Sequence, residues 1–403
     1  MTVPVQKPRD TRIDVLRALA LVTIFVNHVP SNALEQLTTK NFGFSDAAEA
    51  FVLISGVSAA LAYGPKFLAG AGLAATLRMW RRAGVLYIAQ LGTTMATLGI
   101  FAFFSLHYAV PELMTQINIR PVIEDTAAAL VGIVTLGHQL GYNNILSMYA
   151  AVLVLLPAFL LIGRRFGLAA MVAASGAVWL AAGVWRIGPP NFPNQGVWFL
   201  NPLSWQFLFV VGVAAALHVR RGGRLPQNPF LALAAALYLA LSWAWVKVPL
   251  WGVDTSFGLP AVLTGFDKTY LSAPRLLHVL AAGYLIAVLP SVSRLFRLSP
   301  ANPLSVMGRH GLPVFVLGTV LAMAAQAWRM VHIPSPASDM TILAVGIGAQ
   351  FAIAYYIEWY RGVANGWRPA ATSGIPAHHD ARPVAIPARH ERAAAPSRGP
   401  VGG

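Results

Sequence analysis

The 403 residues contain no cysteine, which excludes disulfides, thiolate nucleophiles and cysteine-ligated metal sites. Charge is scarce too. Asp, Glu, Lys and Arg make up 11% of the chain, against about 25% in a soluble domain, too few to cover a water-soluble globule. Acids are the scarcer sign, 14 against 29 Lys and Arg, and only five of those cations are Lys. A basic excess can signal nucleic acid, but these cations sit in short clusters between apolar runs, not in a stripe interleaved with aromatics. That clustering is what retention of loops at an anionic cytoplasmic leaflet produces, so no nucleic-acid partner is expected. HExxH, GxSxG and phosphate-binding loops are missing. No internal repeat is visible, and no cleavable signal is expected, because Arg12, Asp14 and Arg17 break the first apolar segment.

What is present in abundance is apolar surface, with 57% hydrophobic residues and a mean hydropathy of +0.61. That much must be buried, and the fold class expected is an all-α, polytopic integral membrane bundle. A span needs about 20 largely apolar residues. Ten candidates satisfy this, at roughly 13–30, 46–63, 83–106, 144–163, 167–185, 202–219, 229–250, 275–290, 311–331 and 340–360. With both termini placed in the cytoplasm, 21 Lys and Arg fall inside, 7 outside, and Arg17 within a span, as the positive-inside rule asks. Residues 107–142 then form a long outer connection whose apolar stretch at 127–136 is suited to lying on the membrane. The domain division is a membrane domain over 1–360 and, over 361–403, a Pro-, Ala-, Arg- and Gly-rich cytoplasmic tail expected to be disordered.

Charges inside a bilayer cost at least about 2.5 kcal/mol each and need a partner or a task. The first span holds Asp14, Arg17 and His28. Arg17 and His28 are three turns apart on one face, roughly 16 Å, and Asp14 is placed to pair with Arg17. The second span opens with Asp46 and Glu49, expected at the membrane depth of His28. Helix capping from Ser45 accounts for Asp46 and partly for Glu49. A carboxylate orienting an imidazole for general-base work is the other reading. Arg78, Arg81 and Arg82 precede the third span and suit either retention at the membrane surface or a cradle for phosphates. Lys268, Tyr270, Arg275 and His278 form a further outer polar group. No metal site is expected.

These stretches, RIDVLRALALVTIFVNHVP (12–30), GFSDAAEAFVLISGVSAALAYG (43–64), RMWRRAGVLYIAQ (78–90), KTYLSAPRLLHVLA (268–281) and GRHGLPVFVLG (308–318), together with 143–157 and 201–212, give the chain its likeness. It resembles the OpgC family, membrane succinyltransferases of osmoregulated periplasmic glucans, within the wider transmembrane acyltransferase superfamily. Arg17, ten intervening residues and His28 fit that superfamily's mark. Phe51 to Gly56 and the cluster Arg78 to Arg82 resemble two more of its features, and Ala18 departs where a Gly commonly follows the Arg.

The resemblance implies a bacterial inner-membrane O-acyltransferase with no tightly bound cofactor. Its partners would be membrane lipids, a cytoplasmic acyl-CoA donor (succinyl-CoA first) and a periplasmic glucan acceptor. It implies catalytic roles for His28, Arg17, Asp46 and Glu49, donor binding by Arg78, Arg81 and Arg82, and acceptor binding by Trp198, Tyr270, Arg275 and His278. Trp185, Asn194, Gln195 and Trp251 are further candidates for sugar contact, or members of an interfacial aromatic belt. A rival reading is a secondary transporter or flippase for a glycan or anionic metabolite, which intramembrane Asp, Glu and His would also serve. The missing repeat and the confinement of charge to two depths weigh against it.

Overall fold

Apolar helices capped by short polar residues dominate the chain, and the computed structural model describes residues 10–248 and 250–366. Ten long helices appear in order: α1 (Thr11–His28), α2 (Ala47–Leu68), α3 (Gly72–Tyr108), α4 (Ile145–Phe166), α5 (Leu168–Val184), α6 (Pro202–Arg220), α7 (Pro229–Lys247), α8 (Ala273–Val288), α9 (Gly311–Val331) and α10 (Pro336–Gly366). They lie where hydropathy predicts them, and there is no β-sheet among the described residues. Seven of them, α2, α3, α4, α6, α7, α9 and α10, are long and apolar enough to cross a membrane. The helices α5 and α8 are apolar but shorter, and α1 carries Arg12, Asp14 and Arg17 in 18 residues. The chain is an all-α, multi-pass membrane protein. Its last long helix runs on to Gly366, past the tail boundary expected at 361, and the rest of that tail lies outside the described residues.

Start signals are explicit. Asp46 caps α2 in a full capping box with Glu49, so Asp46 rather than Ser45 is the N-cap. Asn201 and Asn228 cap α6 and α7, each followed by Pro at the first helical position. Gly167, at φ 92°, is the single residue between α4 and α5, a left-handed conformation that side chains with a Cβ resist.

In the centre α2 packs closely on α6. A Cβ on Gly56 would collide with the Phe209 carbonyl, and one on Gly212 with the Leu53 carbonyl. Small residues let the two backbones touch, which is how membrane helices associate when lipid is as apolar as their side chains. This contact fixes α2, and with it Asp46 and Glu49 at one end and Ser55 and Ser58 further along. α1 packs on α2, on α9 and on the short helix Pro303–Arg309, where a Cβ on Gly308 would strike the Asp14 carbonyl.

Candidate active site

Two polar clusters lie at opposite ends of α1. At the first, Arg17 donates through Nη1 to Asp14 (3.3 Å) and to the Gly308 carbonyl (2.8 Å), and through Nη2 to the Ser58 hydroxyl. The expected Asp14 pairing is present, and Asp14 is 2% exposed. Tyr149 of α4 lies within electrostatic reach of Arg17 and Arg82, with Ser55 beside its hydroxyl. Tyr63 lies near Arg82 and Arg78. The cluster therefore joins α1, α2, α3 and α4.

Arg81 does not belong to it. Because α3 begins at Gly72, all three arginines stand on helix, and Arg78 and Arg82, one turn apart, share a face. Arg81 is turned to a surface groove with Gly84, Val85, Tyr87 and Ile88. Of the three arginines, Arg82 is half-buried beside the cluster, Arg78 is exposed near Tyr63, and Arg81 is exposed on the groove.

At the other end of α1, His28 stacks on Tyr142 with ring centroids 4.5 Å apart and planes at 7°. Lys268 and Asp46 lie near its ring. Neither carboxylate hydrogen-bonds the imidazole. Asp46 pairs with Lys268 and, at 3.5 Å, with Arg275. Glu49, completely buried, accepts the Asp46 backbone N–H at 3.0 Å and Arg275 Nε at 2.8 Å. Asp46 and Glu49, expected to orient His28, are instead engaged by the cations Lys268 and Arg275, whose full charge holds a carboxylate strongly.

The remaining expected acceptor-site residues are in structural use. Tyr270 is buried, donates its hydroxyl to the Arg186 carbonyl at 2.9 Å and lies under the Arg186 guanidinium, 4.7 Å from its ring centre. Trp198 is buried and donates to the Pro190 carbonyl at 3.1 Å. His278 is hydrogen-bonded through Nδ1 to Ser45 Oγ at 2.7 Å and is pressed against Gly43, where a Cβ would collide with the ring. Lys268 owes its place to two buried tryptophans: Trp205 donates to the Lys268 carbonyl at 3.0 Å, and Trp179 to the Leu271 carbonyl at 3.0 Å. Of the other aromatics weighed for sugar contact, Trp185 and Trp251 are exposed. Among the described residues no group of three or more His, Asp or Glu is placed to share a metal ion.

Residues 9–362 match the OpgC protein family. The chain belongs to that family. Membership makes it an acyltransferase. No curated protein matches the chain. Sequence reasoning did not single out Tyr63, Tyr142, Tyr149 or Ser58, whose signal was slight, a single hydroxyl or phenol inside or beside otherwise apolar helices; Ser55 fell within the stretch Phe51 to Gly56 without a partner being expected for it.

Proposed function

We propose that the protein is a glucan O-acyltransferase that takes an acyl group, succinyl in the first instance, from acyl-CoA on the cytoplasmic side and esterifies hydroxyls of a periplasmic glucan. The observation that carries this reading is α1 itself. One helix face joins Arg17, in a cluster that includes Arg82 and Tyr149, to His28 beside Lys268 and Asp46, in a chain of the OpgC family. In this reading the membrane is the bacterial inner membrane and both termini are cytoplasmic, as the distribution of Lys and Arg asks.

Arg78 and Arg82 hold the CoA phosphates, for which guanidinium geometry is suited. The donor's arm runs along α1 past Arg17, and the thioester carbonyl comes to rest near His28. There one imidazole nitrogen takes the proton of a glucan hydroxyl while its oxygen attacks the carbonyl carbon. The C–S bond then breaks, and the imidazolium returns the proton to the departing CoA sulfur, so that an ester and a thiol leave. Asp46 and Lys268 set the field around His28, and Glu49 with Arg275 holds the end of α2 that carries them. The exposed Tyr142 forms the acceptor's side of the ring stack.

The test is transfer of labelled succinyl groups from succinyl-CoA to purified glucan by the full chain in phospholipid nanodiscs. His28→Ala should lower the rate by about a hundred- to ten-thousandfold, the range for loss of a general base, with the folded protein still present. A His28→Ala protein that works at the normal rate would overturn the reading.

A further inference from the structure

A small cavity lies directly against His28, between α1, α9 and α10, with a volume of about 10 Å³. That is room for about one water molecule. Ile24, Phe25 and Phe315 form its apolar side; His28, Thr319 and Gln350 form its polar side. Thr319 is 3% exposed and Gln350 1%. Gln350 Nε2 donates to the Gly346 carbonyl at 3.4 Å, and the Gln350 amide, the Thr319 hydroxyl and the His28 imidazole are the polar groups that line the cavity. Buried polar groups are almost always paired, and an ordered water needs two to four polar partners. Three such groups from three helices converge on one water-sized space. Close backbone packing keeps it small: a Cβ on Gly318 would sit 3.3 Å from the Gln350 amide carbon, and a Cβ on Gly346 would collide with the Phe25 ring.

We propose that this cavity is a one-water site through which Thr319 and Gln350 position the His28 imidazole, the task that neither Asp46 nor Glu49 performs. The water accepts one ring N–H of His28 and donates to Gln350 Oε1 and Thr319 Oγ1. One N–H is thereby fixed toward the helices, and the lone pair of the other ring nitrogen is left for the acceptor hydroxyl. When that nitrogen takes the proton, the imidazolium still faces oxygen dipoles on its inner side. A neutral relay of this kind leaves both nearby carboxylates to their cations, Asp46 to Lys268 and Glu49 to Arg275. Thr319 and Gln350 are positioning residues, and their role rests on the acyl-transfer reading above.

The experiment measures kcat and the KM for succinyl-CoA of the full chain in nanodiscs, with thermal unfolding recorded for each variant. Thr319→Val and Gln350→Met keep shape and remove the polar atom. Each should lower kcat by about 3- to 10-fold, the fold-change that one lost hydrogen bond supports, with KM unchanged; Thr319→Ser, which keeps the hydroxyl, should stay near the wild-type rate. A purely packing role predicts that Thr319→Val works as well as wild type, and that result would overturn the proposal. So would a rise in KM at constant kcat, which would make the cavity part of the donor's path. His28→Ala is run alongside: full activity there takes both readings down, whereas an inactive His28→Ala with wild-type behaviour of the other variants overturns the positioning role alone. Two independent positions keep the result decisive if one substitution prevents folding.

Discussion

Glu49 has two tasks that share one carboxylate: it closes the cap of α2 on the Asp46 N–H, and it neutralises Arg275, with Arg275 Nη2 2.5 Å from Oε1. Removing one partner of a buried pair leaves the other as an uncompensated charge, at about 3–5 kcal/mol. Arg275→Met should therefore cut thermal stability in detergent sharply. Adding Glu49→Gln should restore much of it, since Gln still closes a capping box; a double variant as unstable as the single one would show that the pair is not what holds this end. The residues at this end were legible in the sequence as an outer polar group, but their pairings were not. Glu49 and Arg275 are 226 positions apart, and a shared membrane depth suggested His28 as the partner of the acids when two cations stood closer. Thr319 and Gln350 gave no signal at all, each being a single polar residue within an apolar stretch of its helix.

The phase of α3 decides what its arginines do. Hydropathy placed the span at 83–106 and left the cluster outside it, whereas the helix begins at Gly72 because nothing between 72 and 83 breaks it. Along a helix, positions 78 and 82 fall within about 40° of each other and 81 lies about 60° from 78 on the far side from 82. Arg78→Gln and Arg82→Gln should each raise the KM for acyl-CoA, by up to about tenfold for a lost charge-assisted contact of about 1.5 kcal/mol. Arg81→Gln should leave it alone; equal effects of all three would favour plain retention of positive charge at the membrane surface. The ten helices themselves were legible from runs of apolar residues and from Asn-Pro starts, since both reflect local chemistry. The Gly56–Gly212 approach was not, because a glycine in an apolar run looks the same whether it faces lipid or another backbone.

At the scale of the whole molecule, the two ends of α1 are built by segments far apart in the chain: Arg17 meets the Gly308 carbonyl, and Asp46 waits for Lys268 and Arg275. That separation has a consequence in time. A ribosome adding about 5–20 residues per second needs roughly 11 to 45 s to travel the 226 positions from Glu49 to Arg275. For that interval a carboxylate destined for complete burial lacks the cation it pairs with in the finished fold, so the nascent chain must shelter it at the translocon, protonate it or hold it near the headgroups. A chain stopped at Asp267 should be degraded quickly in pulse-chase labelling, and the same fragment carrying Asp46→Asn and Glu49→Gln should persist several times longer. Equal lifetimes would mean that the acids are tolerated alone. The quality-control machinery of the cell is thus expected to read the completion of this protein through a pair of acids laid down in its first fifty residues.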